Sequence, residues 1–136
     1  VTNKNSLEYF VIEYHEKKNT YDTYSADASG IIVYRVNDKN KYNGNKDGGL
    51  HGENDHVFVF RPNEPNLGAG LGELSKATLN LDRPLLGKNI GVQNNLFDNK
   101  TIYYANGTNS GIIIEVTATT NNSVTFNLKF PNGTRY

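Results

Sequence analysis

The chain has 136 residues, with 14 Lys plus Arg balancing 14 Asp plus Glu, and no cysteine. That length suits one domain with a hydrophobic core, and the missing cysteines exclude disulfides and thiolate metal sites. The charges of both signs are scattered, which argues against a basic face of the kind that binds nucleic acid.

Residues 1–6 are polar and read as a lead-in. Leu7 to His15 is apolar and rich in β-branched and aromatic residues, which predicts a strand. Its more apolar face carries Phe10, Ile12 and Tyr14. A polar connection holding Tyr21, Asp22 and Tyr24 leads to a second strand, Ser29 to Asn37. Both strands are apolar enough to have much of each face covered. Asp38 to Asp55 is a long polar loop, a feature that is often functional in a compact domain.

His56 to Arg61 predicts a third strand, stopped by Pro62 and Pro65, which lack the ladder donor. Ser75 to Asp82 alternates, with Ala77, Leu79 and Leu81 on one face and Lys76, Thr78 and Asn80 on the other. Arg83 to Asn99 has no clear period, and Leu85, Leu86, Ile90, Val92, Leu96 and Phe97 are its apolar anchors. Thr101 to Ala105 reads as a short strand ended by Asn106-Gly107. Gly111 to Thr119 places Ile112, Ile114, Val116 and Ala118 on one face. Asn121-Asn122 offers a tight turn, and Ser123 to Phe130 turns Val124, Phe126, Leu128 and Phe130 inward. About seven strands result, and the expected fold is an all-β, mainly antiparallel β-sandwich with long polar loops, in a single domain over residues 1–136.

Two of these stretches carry a resemblance. Glu8-Tyr9-Phe10-Val11-Ile12-Glu13, then Tyr21-Asp22, then Ser29-Gly30-Ile31-Ile32-Val33-Tyr34-Arg35-Val36-Asn37 resembles the region after the catalytic core of secreted M6-family (immune-inhibitor-A-like) zinc metalloproteases. Ser110 to Ile114 and Ser123 to Phe126 resemble the β-domain found there. The chain departs from the family where members often carry Asn-Arg after the second glutamate, because Tyr14-His15 stand there. The resemblance implies a non-catalytic accessory β-domain whose partner is its own upstream catalytic domain. With no methionine and a start at Val1, a fragment of a longer secreted or cell-surface protein is expected. No apolar run approaches the roughly 20 residues of a membrane helix, so no membrane span is expected.

A zinc peptidase needs His-Glu-x-x-His, two histidines one helical turn apart with a glutamate as base, and the chain has no such motif. The chain is therefore not expected to be an enzyme, and the resemblance places the zinc motif upstream of Val1. His51, Glu53 and His56 are close in sequence but lie in a Gly-rich loop, so solvated loop residues are expected rather than metal ligands. Asn43, Asn45 and Asp47, followed by Gly48, match the first half of a calcium loop. The acidic twelfth position is replaced by Asn54, and Lys46 lies inside the loop, so an ordinary polar loop is expected, with weak calcium binding as the alternative. No other cofactor is expected.

Gly68 to Gly72 lacks the Lys-Ser/Thr ending of a phosphate loop and reads as a turn. Glu8 and Glu13 are five apart on one strand and face opposite ways, so they are not an acid/base pair. Asn99, Asn106, Asn121 and Asn132 match the glycosylation sequon but read as turn residues of an Asn-rich chain. Tyr103-Tyr104 put one ring on each face of their strand, and an exposed ring there is a candidate platform for a glycan, with core packing as the plainer role. The leading expectation is an accessory domain that supports a catalytic domain or binds substrate or cell surface. The alternative is an independent carbohydrate-binding or adhesive module. An enzyme with a dispersed site is a third reading.

Overall fold

The computed structural model describes residues 7–17, 28–42, 54–61, 77–87, 102–120 and 122–132. The fold is all-β, as expected. Among the described residues, β1 (Glu8–His15), β2 (Gly30–Asn37) and β3 (Val57–Val59) form one antiparallel sheet in that order. β4 (Leu85–Leu86), β5 (Ile113–Thr119) and β6 (Val124–Lys129) form a second, also antiparallel. Six strands therefore stand among the described residues where about seven were expected. The described parts of the stretches Ser75 to Asp82 and Thr101 to Ala105, residues 77–82 and 102–105, contribute isolated bridges, Leu79 with Ile31, Asn80 with Arg83 and Tyr103 with Asn109. The short strand Leu85–Leu86 lies in the stretch without a clear period.

β2 is the central element of its sheet. β1 pairs with it along eight residues without interruption. The other edge of β2 is shared: β3 takes Tyr34 to Val36, and Leu79 exchanges both backbone hydrogen bonds with Ile31 at 2.9 and 2.8 Å. This double pairing explains why β2 is the most buried strand, in line with its apolar composition. β1 has neighbours on only one edge among the described residues, and its Val11, Glu13 and Tyr14 stay exposed. The expectation of two covered faces holds for β2 and fails for β1, because an edge strand is flanked on one side only.

The register sorts the side chains. Phe10, Arg35 and Phe58 stand opposite one another across the three strands, as do Ile12 and Val33. Ile31, Val33, Phe58 and Phe60 from the first sheet join Leu86, Ile114 and Val116 from the second in one buried cluster, completed by Leu79, Ile102, Tyr103 and Ile112. Burial of this shared apolar surface, at about 25 cal/mol per Å2, is the main force holding the sheets together.

The β5–β6 hairpin forms as expected, and Val124, Phe126, Leu128 and Phe130 pack on the core. One detail differs. Ala118, expected inward after Val116, is exposed. Val116 pairs with Phe126 but Ala118 pairs with Thr125, so Thr117 is an extra residue in β5. The resulting bulge flips the alternation beyond Val116.

A second correction concerns Leu81, expected inward with Ala77 and Leu79, yet 53% exposed. The Asn80 side-chain oxygen accepts hydrogen bonds from the amides of Asp82 (3.0 Å) and Arg83 (3.2 Å), and Asn80 and Arg83 also exchange backbone bonds. The chain therefore turns at Leu81-Asp82, and the alternation ends one residue early. Thr78 and Asn80, expected on an outer polar face, are buried instead. Gly30 makes room for that segment, because a Cβ there would collide with the Leu79 carbonyl oxygen and approach Thr78 Cγ2 to 2.5 Å.

Candidate functional site

The turn at Leu81-Asp82 forms one wall of an open polar cleft of about 670 Å3. Glu16 and Lys17 follow β1, Ser29 precedes β2, and Thr119 and Thr120 end β5, so the cleft gathers one end of both sheets. Its lining offers two carboxylates (Glu16, Asp82), one ammonium (Lys17), the Asn80 amide and three hydroxyls, beside the exposed apolar Leu81. The walls are held by local bonds. Ser29 Oγ accepts from the Lys17 amide at 2.8 Å, and Thr120 Oγ1 lies 2.7 Å from Ser123 Oγ. Such a surface can exchange many hydrogen bonds with a polar ligand while Leu81 contacts its apolar part. Sequence reasoning missed this site, because its residues come from four separate segments and no one segment carries a recognisable motif.

Tyr103 and Tyr104 have different environments. Tyr103 is a core residue, its ring 5.4 Å from Phe60 and 5.8 Å from Phe58. Tyr104 is half-buried, with its ring 5.3 Å from Phe10. The inward ring of the pair therefore packs the core, and only Tyr104 retains surface for a ligand. Arg35 lies fully buried beside them, with its guanidinium 5.0 Å from the Phe58 ring centre and 5.7 Å from that of Tyr103. The alternation of Ile31, Val33, Arg35 and Asn37 was the signal that could have placed this arginine inside. Glu8, on the same face of the sheet, accepts a hydrogen bond from the Ala105 amide at 2.9 Å. It thereby ties the first strand to the turn that follows Tyr103-Tyr104.

Glu13 lies on the opposite face from Glu8, as their spacing required. It bonds the Tyr34 hydroxyl, whose pKa is pushed up to about 12, first by burial and then by the Glu13 hydrogen bond and charge. His56 Nε2 is 3.4 Å from Asp38 Oδ1, an ion-pair distance when the ring is protonated. Its neighbours in the sequence-level metal reading, His51 and Glu53, lie outside the described residues, as do Asn43, Asn45 and Asp47 of the calcium reading and Gly68 to Gly72. Among the described residues no group of three or more His, Asp or Glu is placed to hold a metal ion. No described helix is long and apolar enough to cross a membrane. Asn106 is a turn residue as expected, its Oδ1 accepting from the Thr108 amide at 3.0 Å beside Gly107 at φ 82°.

The fold and the cleft define an all-β protein with an open polar cleft at one end of its sheets. No family model, curated protein or solved structure matches the chain.

Proposed function

We propose that this chain is a non-catalytic accessory β-domain of a secreted or cell-surface M6-like metallopeptidase, and that it holds a substrate or surface ligand in the cleft between Glu16 and Thr120. The cleft carries the binding half of the reading, because its polar lining and exposed Leu81 suit a ligand with both hydroxyl or amide groups and an apolar face. The resemblance of Glu8 to Glu13 and of Ser29 to Asn37 supports the link to the peptidase family. In this reading the isolated chain cleaves nothing. Incubation with unfolded protein substrates should leave them intact, and cleavage abolished by a chelator would refute the non-catalytic role. The link to a peptidase is tested in the gene upstream of Val1, where a His-Glu-x-x-His motif is expected.

The second reading is an independent carbohydrate-binding or adhesive module. The density of hydroxyl and carboxylate groups in the cleft favours it, since polyols are recognised through such groups. Titration of the chain with soluble polysaccharides, followed by amide chemical shifts, discriminates the two. Shifts confined to Asn80–Asp82 and Thr119–Thr120, together with an upstream gene lacking the zinc motif, would favour the module.

A further inference from the structure

The outer edge of β1 has the character of a pairing surface. The Leu7 carbonyl accepts from the Asp38 amide at 3.0 Å, so Leu7 and Asp38 form a hydrogen-bonded pair across β1 and β2. Antiparallel pairs alternate between bonded and non-bonded. Following the unbroken register, residues 9, 11, 13 and 15 direct their backbone groups to β2, and Phe10, Ile12 and Tyr14 direct theirs to the opposite edge. No described strand pairs with that edge. The strand carries no proline, lysine or bulge, and its charges are the two glutamates Glu8 and Glu13. It also concentrates exposed apolar surface, with Leu7 62%, Val11 38% and Tyr14 39% exposed.

We infer that two copies of this chain pair antiparallel through β1, with Val11 on the two-fold axis, to form one continuous sheet of six strands from two sheets of three. The charge pattern selects this partner and this register. With Val11 opposite Val11 of the second copy, Tyr9 faces Glu13, Phe10 faces Ile12 and Glu8 faces Tyr14, so each carboxylate meets a phenol that can donate to it. Sliding the partner by two residues in one direction sets Glu13 against Val11, and in the other sets Glu8 against Ile12. Both slides replace a carboxylate–phenol pair by a carboxylate–aliphatic pair and so lose the favourable polar contact. The phenols also keep like charges apart, as a self-complementary two-fold interface requires.

Sedimentation of the full chain over a range of concentrations tests this, with a reversible dimer expected. Val11→Lys and Val11→Glu each set like charges against one another on the axis, and each is expected to raise the dimer dissociation constant at least about tenfold. Val11 is an exposed side chain on the outer face, so circular dichroism should report folded monomers. Mixing the two variants in equal amounts should restore a dimer, now a heterodimer held by opposite charges. A wild-type chain that stays monomeric at every concentration overturns the proposal, and so does a dimer that persists unchanged in both variants.

Discussion

Arg35 donates a hydrogen bond from Nη1 to the carbonyl oxygen of Tyr103 at 3.3 Å, across 68 positions of sequence. The contact joins the central strand of the first sheet to the segment that bridges Asn109. Arg35 is also the largest fully buried side chain among the described residues, packed against the Phe58 and Tyr103 rings. A guanidinium suits this place because it can stack on aromatic faces and donate in its plane at once. Replacing Arg35 by Ala is expected to cost about 3 kcal/mol or more, from the cavity and the lost hydrogen bond to the Tyr103 carbonyl. Arg35→Met, which refills the volume, should cost less, and urea unfolding of both variants measures the difference.

Gly30 opens β2 where the chain crosses beneath Thr78 and Leu79. Alanine at this position would drive a methyl group into the Leu79 carbonyl, which itself accepts the Ile31 amide. Gly30→Ala should lower stability by roughly 1–3 kcal/mol through overpacking, even though alanine is the smallest change available. A shift in thermal midpoint of several degrees checks this, and an unchanged midpoint would show that the two backbones can separate at little cost.

Leu79 and Leu81 lie two residues apart and look equivalent in sequence. Leu79 is fully buried and Leu81 stands out at the turn. Leu79→Ala is expected to cost about 2–5 kcal/mol, whereas Leu81→Ser should fall within roughly 0.5 kcal/mol of the parent. Equal losses at the two positions would contradict the turn at Asn80. The Leu81 variant also bears on the cleft, since ligand affinity should drop while stability does not.

Tyr34 and Glu13 make stability depend on pH at the alkaline end. The Tyr34 pKa is raised from 10.0 to about 12, so the folded state favours the neutral phenol. Its contribution is fully present below pH 10 and is lost as pH rises from 10 through about 12, because the unfolded chain releases that proton first. Tyr34→Phe should flatten this part of the stability profile. Glu13→Gln should bring the Tyr34 titration back toward lower pH, since it removes the charge; phenolate absorbance follows both.

What the sequence determined by itself is local. Apolar, β-branched and aromatic composition identified β1 and β2, and period-2 alternation identified the β5–β6 hairpin, because both signals belong to the residues of a single strand. Absent cysteines and scattered charge bounded the chemistry in the same way. The tertiary structure decided the rest, through interactions between distant segments. The Thr117 bulge ended one alternation early through its pairing with β6, whereas the Asn80 turn ended another through bonds within residues 80–83. Arg35 went inside because Phe58 and Tyr103 bring their rings to it. The cleft exists only because the ends of β1 and β5, the start of β2 and the turn after Leu79 meet in space, and no local pattern encodes that meeting.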